Sequence, residues 1–165
     1  MKITQTMDYA AAPEAVFAMM TSEEFQAQKC ADAGALSQNV AVSHAGGGAR
    51  VVVGRDLPTD RFPDFAKSLV GQTLSTTETW EWNEPASGGE RRGRLTVEVK
   101  GTPITLRSTV VLAANGAGSV VTIDGELKAS IPLFGGKIEK AAAPVVIGAL
   151  HSEQRTGSHW IRTHA

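Results

Sequence analysis

Two charged side chains lie in otherwise apolar rows of predicted strands, and these two have the chemistry to hold a ligand or to act on it. Residues 73–82 alternate between a polar row and a second row, and the second row contains both Glu78 and Trp80. Arg55 shares a row with Val53 in the strand before it. Because alternate residues of a strand face opposite sides, we expect Glu78 and Arg55 to point into the protein.

Three roles are open for Arg55 and Glu78. They form a structural ion pair across neighbouring antiparallel strands, they contact a ligand, or they take part in catalysis. A buried carboxylate needs a partner, which favours the ion pair. Glu78 alone is a weak candidate for a general base, because the spacing places no second acid or base beside it. We therefore assign no catalytic residue.

Further polar side chains share apolar rows of the predicted strands. They are Gln5 beside Ile3 and Met7, Gln38 beside Val40 and Val42, and Ser108 beside Leu106 and Val110. Small-molecule pockets are mostly apolar, with a few polar groups that orient the ligand. We therefore count Gln5, Gln38 and Ser108, with Arg55 and Glu78, as candidate ligand-binding residues.

Apolar side chains that could line or cover such a pocket come from strands and helices. Trp80 could stack on a flat ligand, although an inward tryptophan is more often part of the core. Phe65 and Leu69 form either a lid over the cavity mouth or a satellite core under a long connection. Val145 lies with Ile138 on one side of the final helix and completes the candidate set.

These residues must be positioned by a strand, two short helices, six further strands and a long final helix. The first strand spans residues 2–9, and Pro13 fits the first position of the helix that follows. Thr21 and Glu24 have the spacing of a capping box, which predicts the start of the second helix.

Two further helices are predicted. Residues 57–72 connect two strands, and apolar residues within this segment recur at helical spacing. They predict a short helix with Pro63 near its start and Gly71 near its end. The last helix begins near Gly136. Pro144 lies inside it and lacks the N–H that would bond to Lys140, so we expect a kink or a division of the helix there.

Length and charge exclude several classes of protein. A chain of 165 residues predicts one domain, residues 1–165, with enough material for a core. A net charge of −1 lacks the basic face that nucleic acid demands. No apolar run approaches the roughly 20 residues of a membrane span, and no secretion signal is visible. The single cysteine, Cys30, allows no internal disulfide, and we expect a cytoplasmic protein.

The spacing of the histidine and cysteine residues supports neither a metal site nor a cofactor site. His151 and His159 lie eight residues apart without a nearby third ligand. Cys30 lacks a positioned base, and neither a G-x-S-x-G elbow nor a phosphate-binding loop occurs. We expect no metal and no cofactor.

Three stretches resemble the START-like superfamily, also called SRPBCC, which includes Bet v 1-type proteins and polyketide cyclases. YAAAPEAVFAMMTSEEF looks like its opening strand and proline-led helix, and IPLFGGKIEK resembles its entry into the last helix. SLVGQTLSTTETWEW is similar to an uncharacterised actinobacterial family of unknown function within the superfamily. The resemblance covers nearly the whole chain. It implies an α+β helix-grip fold, with a seven-stranded antiparallel sheet around the long C-terminal helix.

The resemblance also implies a ligand cavity between the sheet and the last helix. Pro132 would end the last strand, Gly135 and Gly136 would allow the reversal, and Phe134 would cover the end of the cavity. We therefore expect the binding or transport of a small hydrophobic molecule, such as a lipid, an isoprenoid or a polyketide. Two alternatives stay open: an enzyme of the cyclase or aromatase kind, and a protein-interaction module with a filled core.

Overall fold

The computed structural model describes every residue from Met1 to Ala165 and contains seven strands and four helices. In chain order these are β1 (Lys2–Tyr9), α1 (Pro13–Met20), α2 (Glu23–Asp32), β2 (Ser37–Ala45), β3 (Gly48–Pro58), α3 (Asp64–Val70), β4 (Thr73–Trp82), β5 (Arg91–Val99), β6 (Ile104–Asn115), β7 (Gly118–Ala129) and α4 (Gly135–His164). The strands form one antiparallel sheet in the order β1-β7-β6-β5-β4-β3-β2. This confirms the predicted α+β helix-grip fold.

Alternation along β4 decides which side chains reach the interior. Its buried row contains Thr76, Glu78 and Trp80, whereas Thr77 on the other face is exposed. In the pairing of β3 with β4, Arg55 lies directly opposite Thr76. Side chains of directly opposed residues lie on the same face of a sheet, so Arg55 emerges beside the buried row of β4.

The two short helices start as their sequences dictate, with one difference from expectation. Pro13 occupies the first position of α1. The cap of α2 is Ser22, whose hydroxyl accepts a hydrogen bond from the Phe25 N–H at 3.3 Å. The predicted capping box at Thr21 is wrong, because the Thr21 hydroxyl still belongs to α1 and donates to the Phe17 carbonyl at 2.8 Å.

The corner before α4 reverses the chain differently from the prediction. Leu133, not a glycine, adopts the left-handed conformation, with φ of 68°. Gly135 is required by close approach, because a Cβ there would lie 2.4 Å from the Ala129 carbonyl oxygen, whereas Gly136 has open space around it. Helix α4 then continues without a break past Pro144. Pro144 therefore does not divide the helix.

Helix α3 spans Asp64–Val70, as expected from Pro63 near its start and Gly71 near its end. Strand β3 continues to Pro58, and Pro63 adopts an extended backbone immediately before the first residue of the helix. None of the residues of α3 is buried. The helix is therefore held to the rest of the protein by half-buried contacts.

Two apolar clusters form the interior. The larger one joins α1 and α2 to the inner face of the sheet and contains Phe25, Trp80 and Leu150. The smaller one contains Leu106 and Ile138 and lies nearer the start of α4. None of the helices is long and apolar enough to cross a membrane.

Candidate ligand-binding site

A cavity of about 310 Å³ lies between the inner face of the sheet and α4, and the segment around α3 contributes to its wall. Its apolar lining includes Leu95, Leu106, Leu127, Phe62, Leu69 and Val146. The lining draws on both apolar clusters, so the cavity is bordered by both. The volume falls at the lower end of the range for small-molecule sites, and the mostly apolar wall is typical of them.

Five polar side chains line the cavity; one of them, Arg61, is exposed in the segment before α3, and the other four come from three elements. Arg55 extends from β3, and Thr76 and Glu78 extend from neighbouring positions in the buried row of β4. Glu153 extends from α4 on the other side of the cavity. The cavity therefore has ionisable groups in an otherwise apolar wall, and these groups come from both the sheet and the last helix.

Four buried charges surround this part of the wall, and Lys29 of α2 connects them. The Lys29 Nζ donates to Glu78 Oε1 at 2.5 Å and to Glu153 Oε2 at 3.3 Å. The Arg55 Nη2 lies 3.6 Å from Glu78 Oε2, and the Trp80 Nε1 donates to Glu78 Oε1 at 2.5 Å. We call Lys29, Arg55, Glu78 and Glu153 the buried charge cluster.

The pKa values of the two carboxyl groups in the buried charge cluster are shifted in opposite directions. Burial raises the pKa of Glu78, but Lys29 and Arg55 outweigh burial and lower this pKa to about 2. Burial also raises the pKa of Glu153, and the charge of Glu78 adds to this while Lys29 only partly opposes it. Burial would lower the pKa of Lys29, but Glu153 and Glu78 raise it above its usual value. Glu78 is thus held ionised, while Glu153 binds a proton more readily.

Three polar atoms of the cavity lining have no hydrogen-bond partner within the protein. They are Arg55 Nε, Thr76 Oγ1 and Glu153 Oε1, and all three are inaccessible to water. Nearly all buried polar groups in proteins are hydrogen-bonded, and an unpaired one destabilises the fold. The three unpaired atoms therefore set this end of the cavity apart from the apolar remainder.

Five of the ten predicted site residues line the cavity: Arg55, Leu69, Glu78, Trp80 and Val145. Arg55 and Glu78 form the expected ion pair across β3 and β4, and both also face the cavity. A structural ion pair and contact with a ligand are therefore compatible roles for Arg55 and Glu78 in this geometry.

Three predicted polar residues do not line the cavity. Gln5 is half-buried on β1, and Gln38 is exposed on β2, because these strands form the two edges of the sheet. Ser108 is buried, but its hydroxyl donates to the Leu95 carbonyl at 3.0 Å. The alternation of β6 correctly predicted that Ser108 is buried. It could not show that the Ser108 hydroxyl already donates to a backbone carbonyl.

The two remaining aromatic predictions also lie outside the lining. Phe65 packs against the smaller apolar cluster, and the Lys137 Nζ lies 4.4 Å from the centre of its ring. Phe134 is 57% exposed, because the left-handed turn at Leu133 directs the corner towards solvent. Phe134 therefore does not cover the end of the cavity.

The sequence reading missed Lys29, Thr76 and Glu153. Helical spacing carries a signal for two of them, since Lys29 follows the buried Phe25 by four residues and Glu153 follows the buried Leu150 by three. Each therefore continues the apolar face of its helix. Thr76 lies in the same row of β4 as Glu78, and threonine is too common in strands to stand out.

Solved structures with this fold resemble the chain in shape and are distant in sequence. A STAR-related lipid transfer protein from Xanthomonas axonopodis is 14% identical, with a TM-score of 0.58, over 94% of this chain and 85% of that one. A START superfamily protein from Mycobacterium smegmatis is 12% identical, with a TM-score of 0.56, over 97% and 98%. An aromatase/cyclase from a Streptomyces species is 11% identical, with a TM-score of 0.56, over 100% and 98%.

These likenesses show a START-like fold and leave the ligand open, since fold alone does not determine function. No curated protein matches the chain significantly. The model of one protein family, described as a protein of unknown function (DUF2505), matches residues 4–161, which is nearly the whole chain. The chain therefore belongs to the DUF2505 family and has the START-like fold.

Proposed function

We propose that the protein binds or carries a small, largely apolar molecule in the cavity between the sheet and α4. The observation that carries this proposal is the cavity itself, with its volume of about 310 Å³ and its predominantly apolar lining. The STAR-related lipid transfer protein with the same fold makes a carrier role a reasonable model for this chain. Lipids, isoprenoids and polyketide-like molecules all have the apolar surface that such a wall would cover.

The positions of the large aromatic residues favour ligand binding over an interaction module with a filled core. Trp80 and Trp82 stack on each other with ring centres 5.8 Å apart, and Trp82 packs edge-on against Phe17 at 6.3 Å. Trp82 and Phe134 do not line the cavity, so they leave its volume free.

The environment of Glu78 favours a carrier over an enzyme of the cyclase or aromatase kind. Glu78 accepts hydrogen bonds from Lys29 and Trp80 and also faces Arg55. Because Lys29 and Arg55 lower its pKa to about 2 against the effect of burial, its carboxylate is a weak proton acceptor near neutral pH.

Three further features complete the proposal. Residues 1–165 act as one START-like domain, and the unpaired Cys30 suits the reducing cytoplasm. The segment around α3 acts as a lid, because Phe62 and Leu69 line the cavity while no residue of α3 is buried. A lid of this kind can open without disrupting the main sheet.

A cavity-filling variant tests the proposal. Ala142 lines the cavity from α4, so Ala142→Trp should occupy part of its volume, while Ala15→Trp adds the same side chain at an exposed position of α1. We expect the wild type and Ala15→Trp to bind the neutral dye Nile red, and Ala142→Trp to lose binding while keeping its circular dichroism spectrum.

Native mass spectrometry of protein purified without denaturation provides an independent measurement. We expect a discrete adduct on the wild type that solvent extraction removes and that Ala142→Trp lacks. A wild-type protein that carries no adduct and does not bind Nile red would overturn the proposed function.

A further inference from the structure

The polar end of the cavity has more hydrogen-bonding capacity than the protein uses. Arg55 Nε, Thr76 Oγ1 and Glu153 Oε1 have no partner. All three side chains are at least nine-tenths buried, since Thr76 is 9% exposed, the Arg55 side chain 9% and Glu153 3%. Two of these atoms belong to groups that can donate a hydrogen bond, so the end of the cavity suits a ligand group that accepts hydrogen bonds.

The two donors lie next to each other on the sheet. Arg55 and Thr76 are directly opposite in the pairing of β3 with β4, and both residues line the cavity. Glu153 approaches from α4, where its other oxygen, Oε2, is held by Lys29 at 3.3 Å. A planar group with two oxygens could therefore face the donors of the sheet with one oxygen and Glu153 with the other.

The charge of the buried cluster favours an anionic group at this end. Lys29 and Arg55 both face Glu78, whereas Glu153 has Lys29 as its one cationic partner within 4 Å. Burial and the neighbouring Glu78 raise the pKa of Glu153, which favours its neutral form. Glu78 is thus the counter-charge that Lys29 and Arg55 share, and an anionic ligand group would supply a further negative charge beside the two cations.

We infer that the ligand is an apolar monocarboxylic acid whose carboxylate accepts hydrogen bonds from Arg55 Nε and Thr76 Oγ1 and pairs with the carboxyl group of Glu153. This inference rests on the proposed function and adds the chemical class of the ligand. The apolar body extends from the polar end along Leu95 and Leu106 towards the α3 segment. Because none of the three atoms is accessible to water, binding of this kind requires the three side chains to turn towards the ligand.

Other polar groups fit this end less well. A primary amine is protonated near neutral pH and would be repelled by Lys29 and Arg55. An alcohol offers a single oxygen, which leaves at least one of the three unpaired polar atoms without a partner. An ester accepts hydrogen bonds but does not supply a further negative charge, and hydrogen bonds to charged groups are the stronger ones.

The test compares molecules with one apolar body and different polar groups. Decanoate, methyl decanoate, decan-1-ol and decylamine are each titrated against the wild-type protein at neutral pH, with displacement of Nile red as the readout. We expect the Kd of decanoate to be at least about ten-fold lower than those of the other three molecules. A difference of this size is expected for a charge-assisted hydrogen bond. A second series with 1-naphthoate, methyl 1-naphthoate and 1-naphthol should give the same order.

Matched variants of β4 locate the effect. Thr76→Val removes the hydroxyl inside the cavity with little change of shape, and Thr77→Val makes the same change at an exposed position one residue further on. We expect Thr76→Val to weaken decanoate about five- to ten-fold, and to weaken decan-1-ol and Nile red less than decanoate. Thr77→Val should behave as the wild type, and Thr76→Ser should restore decanoate binding.

The outcomes separate this inference from the proposed function. If the acid binds no more tightly than its ester and alcohol in both series, the carboxylate assignment is wrong while the proposed cavity binding stands. Equal effects of Thr76→Val and Thr77→Val on decanoate also overturn the assignment. If neither series nor Nile red binds, the proposed function fails and the assignment fails with it.

Discussion

Glu78 receives Lys29 and Trp80 as hydrogen-bond donors and Arg55 as a third, more distant partner. Glu153 has one oxygen on Lys29 and the other without a partner. The two carboxylates are connected through the same ammonium group, but one is well stabilised as an anion and the other is not. Substitution of each by the nearly isosteric glutamine should therefore have very different effects.

We expect Glu78→Gln to lower the free energy of unfolding by about 3–5 kcal/mol, because it leaves Lys29 and Arg55 buried without their main counter-charge. Glu153→Gln should change it by about 1 kcal/mol or less, because Lys29 keeps Glu78 and the cost of burying a second carboxylate disappears. Urea unfolding followed by circular dichroism measures both. Equal losses from the two substitutions would contradict this division of roles.

The stability of the protein should depend on pH through both carboxylates, with opposite signs. The pKa of Glu78 lies near 2, below its ordinary value of 4.5, so its stabilising contribution is present above pH 4.5 and is lost as the pH falls towards 2. The raised pKa of Glu153 acts in reverse, because its contribution is present at low pH and is lost as the pH rises through the folded-state pKa.

Unfolding curves of wild type, Glu78→Gln and Glu153→Gln recorded across acidic and neutral pH separate these contributions. Relative to the wild type, Glu153→Gln should gain stability as the pH rises above the ordinary range of a carboxyl group. The deficit of Glu78→Gln should shrink as the pH falls below 4.5. Parallel curves for all three proteins would show that neither pKa is displaced.

At the scale of the elements, α4 contains two glycines in contrasting surroundings. A Cβ at Gly157 would lie 2.6 Å from Tyr9 Cε1 and 3.0 Å from Met19 Cε, whereas Gly148 has open space around it. Gly157 therefore lies at a close approach of α4 to β1 and α1. Gly148 is an exposed interior position of the helix, where glycine only weakens the helical backbone.

We expect Gly157→Ala to destabilise the protein by about 1–3 kcal/mol, because Tyr9 and Met19 are packed in the core and must shift. Gly148→Ala should stabilise it by about 0.5–1 kcal/mol, because alanine favours the helix without a clash. Thermal unfolding of the two variants checks both signs. A stabilising effect at both positions would mean that α4 is held more loosely against β1 than the structure shows.

Most elements were predictable because their periodicity is local. Strand β4 shows its alternation within ten residues, and α1 shows its start through Pro13. Helix α3 was predictable in the same way, since Pro63 and Gly71 mark its two ends. An error arose at the start of α2, because Thr21 and Ser22 can both cap a helix and local spacing does not show that the Thr21 hydroxyl donates to the Phe17 carbonyl. The uninterrupted α4 shows that one lost hydrogen bond at Pro144 does not outweigh the rest of a long helix.

At the scale of the whole molecule, only half of the buried charge cluster was predictable from the sequence, because its members come from elements that are distant in the chain. Arg55 and Glu78 were found together because they lie on adjacent strands, where register can be inferred. Lys29 lies on a helix 49 residues before Glu78 in the sequence, and 124 residues separate Lys29 from Glu153. Helical spacing puts each of them on a buried face, but only the packing of α2 and α4 over the sheet brings them together.

The pairing of β1 with β7 has a consequence for the order in which parts of the protein can fold during synthesis. Lys2 pairs with Glu126 and Tyr9 with Ser119, whereas β2 to β7 follow one another as neighbouring hairpins. On the ribosome, β1 emerges before the other strands and remains without a partner until β7 has been synthesised, because such distant pairings must await the intervening chain. Lys29 gains Glu153 as a partner only after α4 has emerged. The nascent chain can form β2 to β7 first, but the cavity exists only once α4 has packed on the sheet.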